Sequence, residues 1–157
     1  MVEVERKFLV RSDAYKKEAT SVKRIVQGFL NVHPKRTVRV RIKEDTGFLT
    51  IKGISNEAGT TRFEWEIEID TPEAKALLQL CEETVIKKNR YEIPKGSSMF
   101  EVDEFLAENE GLVIAEIELE NENDSFERPN WLGKEVTGQV KYYNSLLSKH
   151  PYKSWEK

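Results

Sequence analysis

Cysteine occurs once in these 157 residues, at Cys81, and histidine twice, at His33 and His150. A single cysteine excludes an intrachain disulfide and fits a reducing cytosol. The two histidines lie far apart in sequence, and each reads as a surface residue rather than a metal ligand or catalytic base. Cys81 falls beside Leu78 and Leu80 in an expected helix, where core packing suits it better than a nucleophile's role. No stretch approaches the roughly 20 apolar residues of a membrane span. The first residues carry Glu3 and Glu5 and no apolar core of signal-peptide length. A net charge of -3 provides no global attraction to nucleic acid or acidic membranes. There is no Gly-rich phosphate loop of the Walker type, no dinucleotide fingerprint and no internal repeat. Phe63, Trp65 and Phe105 read as packing residues, not as a platform for stacking bases. These absences leave a soluble cytoplasmic protein, one domain over residues 1–157, a monomer or homodimer with no nucleic-acid or membrane partner.

Charge is abundant: 34% of residues are ionisable against 38% hydrophobic. Much of it lies in runs that alternate with apolar residues, the period of a strand. Eight such runs are expected: EVERKFLV, SVKRIVQGFLNV, TVRVRIK, GFLTIKG, TTRFEWEIEID, VIKKNRYEI, SMFEVDEF and GLVIAEIELE. EDTG joins the third and fourth as a hairpin turn, and Pro34 ends the second. Helices are fewer. SDAYKKEA has Ser12 or Asp13 as a cap, TPEAKALLQLCEE has Thr71 as a cap and Pro72 at its first position, and VTGQVKYYNSLLSKH is the last. The tail PYKSWEK is expected either frayed or docked through Trp155.

Alternate side chains of a strand share a face, so parity sorts the charges. Strand one groups Glu3, Glu5 and Lys7, leaving Arg6 with Val4 and Phe8 on the other side. Strand three groups Arg39, Arg41 and Lys43; strand four, Thr50 and Lys52; strand five, Arg62, Glu64, Glu66 and Glu68. Strand six adds Lys88 and Arg90, strand seven Glu101 and Asp103, and strand eight Glu116, Glu118 and Glu120. A wet face of an antiparallel sheet explains any one strand. For the whole set that explanation weakens, because nearly every position is ionisable and the signs segregate by strand. A closed barrel turns one face inward. Charge inward makes a polar tunnel and leaves an apolar exterior for leucine-rich helices to cover. Strand pattern alone does not distinguish inside from outside.

Enclosed charges need matching partners. Arginines from several strands suit phosphate oxygens, and carboxylates without histidine or cysteine suit hard divalent cations, magnesium or manganese. Both together describe a polyphosphate bound as its metal complex.

The ordered motifs resemble the CYTH, or triphosphate tunnel metalloenzyme, family. EVERK matches its ExExK signature at Glu3, Glu5 and Lys7. RVRI carries Arg39 and Arg41, LTIKG carries Lys52, and RFEWE carries Arg62, Glu64 and Glu66. KNR supplies Lys88 and Arg90, EVDEF supplies Asp103, and AEIELE supplies Glu116 and Glu118. PNWLGKEVTGQVKYYN resembles the family's closing segment, with Gln139 and Lys141 where acidic and arginine residues are usual. The resemblance spans Glu3 to about Asn144. It implies a mainly β (α+β) fold, an eight-stranded antiparallel closed barrel with a charged interior and a few helices outside. It implies an inorganic triphosphate clamped by Arg39, Arg41, Lys52, Arg62, Lys88 and Arg90. It implies magnesium or manganese held by Glu3, Glu5, Glu116 and Glu118, with Glu64, Glu66 and Asp103 as helpers, and hydrolysis in which Glu3, Glu5 and Lys7 take part. Class IV adenylate cyclases share the clamp, and a non-catalytic polyphosphate-binding module is a further alternative.

Overall fold

The alternating runs form strands, as expected, and a ninth joins them. In the computed structural model, which describes residues 1–156, these are β1 (Val2–Val10), β2 (Ser21–Asn31), β3 (Arg36–Lys43), β4 (Thr46–Gly53) and β5 (Thr61–Ile69). They continue with β6 (Glu82–Lys95), β7 (Ser98–Phe105), β8 (Val113–Glu118) and β9 (Leu132–Glu135). All pairings are antiparallel, in the order β5-β4-β3-β2-β6-β7-β8-β1. Pairing of Val2, Glu3 and Val4 with Phe63, Arg62 and Thr61 closes this sheet into a barrel of eight strands. The ninth, β9, pairs with the second half of β1.

Closure puts the charged parity inside. Outside, Phe8, Ile93, Phe100, Val102, Ala115 and Ile117 form a buried cluster with Tyr15, Trp131 and Leu132. Burying such side chains stabilises the fold by about 1.5–3 kcal/mol each. Over this cluster much of the cover is the segment 126–132, with Phe126 and Trp131 edge-on to Phe100, while the helix at 71–78, with Leu77 and Leu78, packs on β2, β3 and β4 as expected. The helices are short: α1 (Tyr15–Glu18), α2 (Thr71–Leu78) and α3 (Asn144–Lys149). Neither expected cap holds. Ala14 occupies the cap of α1 and Asp70 that of α2, so Pro72 falls at the second helical position and the Thr71 hydroxyl donates to the Asp45 carbonyl instead. Cys81 lies beyond α2, half-buried rather than in the core. The expected last helix shrinks because Gly138 adopts a positive φ and Val140–Tyr142 form a 3-10 turn. Phe63 is 48% exposed, so it does not pack as expected, whereas Phe105 is buried. His33 and His150 are exposed. Trp155 docks edge-on to Tyr142 and Tyr152. Among the described residues, no helix is long and apolar enough to cross a membrane.

Arg6 points outward, as its parity requires. Its guanidinium donates to both oxygens of Glu135 on β9, at 2.8 and 2.7 Å, and lies over the Phe126 ring. This bidentate pair pins β9 to the barrel. Arg6→Ala should cost about 1–2 kcal/mol in urea unfolding, with turnover close to wild type, since Arg6 touches nothing in the cavity.

Candidate active site

The barrel encloses a cavity of about 220 Å³. Eight cationic side chains line it: Lys7, Arg39, Arg41, Lys43, Lys52, Arg62, Lys88 and Arg90. Seven carboxylates face them: Glu3, Glu5, Glu64, Glu66, Glu101, Glu116 and Glu118. Of the fourteen residues singled out from sequence, the structure brings thirteen to this wall; Asp103 lies behind it. The counts nearly balance, so an added polyanion needs added positive charge.

Register decides who faces whom. Arg39 and Arg41 on β3 reach across β4 to Glu66 on β5, each 3.3 Å from the same oxygen, which also accepts from the Thr50 hydroxyl. Glu66 therefore sits between two arginines. Burial, with Arg39 and Arg90 nearby, lowers Arg41 to about 10, still a cation at neutral pH. The buried Nε groups of both Arg39 and Arg41 have no hydrogen-bond acceptor. Unsatisfied buried donors are uncommon in folded proteins, and both of these belong to side chains that line the cavity.

Lys52 donates to both Glu3 oxygens, at 2.9 and 3.1 Å, and lies 3.2 Å from Glu64. Arg62 lies 3.8 Å from Glu3. Farther along β1, Lys7 is 3.6 Å from Glu116 and 3.9 Å from Glu5. Burial works against the Lys7 ammonium, but Glu116 and Glu5 outweigh it and raise its pKa.

The carboxylates of β1 and β8 are crowded. Glu5 and Glu118 are direct cross-strand partners, as are Lys7 and Glu116. Burial and then the Glu116 charge push the Glu5 carboxyl well above the ordinary range. Burial, then Glu3, Glu64 and Glu101, raise Glu118, which has no cation within salt-bridge distance among the described residues. Burial opposes Glu116 too, but Lys7 leads the charges that hold it well below that range. Like charges packed this way favour positive charge beyond the one that Lys7 supplies. Among the described residues no three carboxylate, histidine or cysteine groups already converge as a cage. The donor set nevertheless fits a hard divalent cation: oxygen only, anionic and short of positive charge.

Asp103, expected among the metal carboxylates, is committed elsewhere. Its two oxygens accept from Arg90 at 2.7 and 2.8 Å, and Lys88 lies 2.8 Å away. Burial opposes its charge, but Arg90 and Lys88 prevail and hold it down to about 2. Both of its oxygens are thus engaged by Arg90 and Lys88. Burial in turn lowers Lys88 to about 8. Asn144 supports the same ammonium: its Oδ1 accepts from Lys88 at 3.0 Å and from Gln27 at 2.8 Å.

The sequence reading assigned no role to several wall residues. Ser55, Gly59 and Thr60 come from the β4–β5 loop; Thr137, Gly138, Tyr143, Asn144 and Ser145 follow β9. Uncharged loop residues carry no periodic signal; of these, Thr137, Gly138, Tyr143 and Asn144 stand in the closing segment PNWLGKEVTGQVKYYN.

Comparison with known proteins agrees with this geometry. The CYTH domain family profile matches residues 1–149. An inorganic triphosphatase of Acetivibrio thermocellus is 50% identical over 155 residues, covering 98% of this chain and 97% of the relative. One from Nitrosomonas europaea is 32% identical, covering 94% and 97%. The crystal structure of an inorganic triphosphatase superposes with a TM-score of 0.65 at 31% identity, covering 93% of this chain and 97% of that one.

Proposed function

Because the chain belongs to the CYTH domain family, we propose that it is a metal-dependent hydrolase of inorganic triphosphate. The observation that carries this reading is a cavity lined on β3 by Arg39 and Arg41, whose buried Nε groups lack an acceptor, and on β1 and β8 by crowded carboxylates. Phosphate oxygens suit the first wall and a divalent cation suits the second. We place the protein in the cytoplasm, on its unpaired Cys81.

Arg39, Arg41, Lys52, Arg62, Lys88 and Arg90 clamp phosphate oxygens. Binding there displaces Glu66 from the two arginines and Glu3 from Lys52, exchanging one anion for another in a site already shaped. Glu5, Glu116 and Glu118 hold magnesium or manganese, with Glu3 and Glu64 beside them. The bound ion supplies charge neutralisation at phosphate oxygens during transfer. Lys7, between Glu116 and Glu5 and charged at all working pH values, neutralises charge next to them or orients the attacking water.

The volume argues against a cyclase. About 220 Å³ falls below the roughly 300–1,000 Å³ of sites for drug-sized ligands, and Phe29 and Tyr143 are the wall's aromatics among the described residues. A purine has no apolar slot here. Phosphate release should be fast with tripolyphosphate and magnesium or manganese, slow with ATP, and abolished by chelation. Cyclic AMP with pyrophosphate from ATP would establish the cyclase reading. Binding of tripolyphosphate without turnover would leave only a binding module.

A further inference from the structure

Along β3, β4 and β5, side chains that line the cavity alternate with apolar ones that point outward. Val38 pairs with Ile51, and Ile51 with Trp65, so these three sit side by side on the outside. Phe63 and Ile67 flank Trp65 along β5, and Val2 of β1 stands opposite Phe63. Around β7 and β8 the apolar exterior is packed under the segment 126–132. On the β3–β5 face, α2 covers one end, where Ala74 meets Gly47. Beyond it Val2, Phe63 and Ile67 are 67%, 48% and 42% exposed. Single exposed apolar residues are ordinary, but a contiguous set spanning four strands marks an interaction surface.

Charge is sorted along the strands of this face. Lys35 and Arg36 stand exposed where β3 begins, with Arg36 opposite Gly53. At the other end stand four exposed carboxylates: Glu44 and Asp45 in the β3–β4 turn, Asp70 and Glu73 where α2 begins. Glu57 and Lys75 are the exceptions, one at each end. Among the described residues, neither cation and none of the four carboxylates has an ion-pair partner within the chain. A partner for this face must therefore be apolar in the middle and carry charge in the reverse order. A second copy, given half a turn about an axis lying in the face and perpendicular to the strands, meets both conditions. Apolar residues meet apolar residues, and each basic end meets an acidic one. Half a turn about the strand direction instead sets like ends together, which like-charge repulsion disfavours.

We infer that the chain forms a twofold homodimer through the outer face of β3, β4 and β5, two sheets packed face to face with Phe63 and Ile67 buried between them. The inner side of the same strands carries Arg39, Arg41 and Lys52, so the contact backs the cationic wall of the cavity.

Sedimentation velocity tests this. Wild type should be dimeric at about 10 µM, and Phe63→Arg and Ile67→Arg, which bury a charge without a partner, should each weaken association about a hundredfold or more. One variant with Lys35→Glu and Arg36→Glu, and another with Asp70→Arg and Glu73→Arg, should each set like charges together and dimerise about tenfold more weakly. Mixed in equal amounts, these two should recover dimer of wild-type affinity, which misfolded chains cannot do. A wild type that stays monomeric at every concentration overturns the inference, as does a dimer that both arginine variants leave intact. Charge variants that do not recover on mixing overturn the twofold arrangement. Binding of a monomeric wild type to phosphatidylcholine vesicles, lost in Phe63→Arg, would overturn it in favour of a lipid surface.

Discussion

Glu5→Gln and Glu118→Gln should each lower phosphate release from tripolyphosphate by about 10²-fold or more, while the metal-free proteins melt no lower than wild type. The two halves of this result belong together. Burial and like charge raise both carboxyls above their ordinary range. A carboxyl raised in the folded state stabilises the fold at low pH and weakens it once pH passes the unfolded value and the charge is forced. At neutral pH each glutamate is thus an electrostatic burden on the metal-free fold, and an uncharged isostere relieves it. With magnesium or manganese the sign reverses. A cation at a hundredfold excess over its Kd stabilises wild type by about 2.7 kcal/mol, or roughly 5–10 °C in Tm for a chain this size, and the variants should lose most of that gain. Scanning calorimetry with and without metal checks stability, and phosphate release checks turnover. Full turnover in both variants, or a metal-free Tm well below wild type, would sink the metal assignment.

That these carboxylates share a wall was legible in sequence, because alternation over β1 and β8 needs no tertiary information. Which wall was inside was not. Both faces of β1 are buried, Glu3 and Lys7 on one side, Val4 and Phe8 on the other, so burial does not separate them either. The closing pairs between β1 and β5 decide it, and they join residues about sixty positions apart. The ninth strand was illegible for a different reason. LGKE is too short to alternate and holds Gly133, whose absent side chain lets it approach the Leu9 carbonyl. It exists because β1 has backbone groups left to pair and Arg6 reaches Glu135. The helix ends were misread because local capping chemistry competes with tertiary bonds: the Thr71 hydroxyl went to Asp45 in the β3–β4 turn.

Asp103→Asn should lower stability by about 3 kcal/mol or more in urea, because removing one partner of a buried pair strands the other charges. Alternation puts Asp103 on the acidic face beside Glu101, and the family resemblance makes it a helper in holding metal. Only register shows Arg90 directly opposite, with Lys88 on the same face two residues away. The two roles predict different things. Asp103 is held down to about 2 from an ordinary 3.8, so its charge contributes stability above the unfolded value, and that contribution disappears as pH falls through the folded one. Wild type should therefore lose roughly 2 kcal/mol more than Asp103→Asn between about pH 4 and pH 2. The variant's unfolding should be flatter across that window once the shared acid response is subtracted. Its metal-induced rise in Tm should persist, since Glu5, Glu116 and Glu118 are intact. A variant of wild-type stability that no longer gains from metal would return Asp103 to the metal set, and Arg90 would then need another anchor.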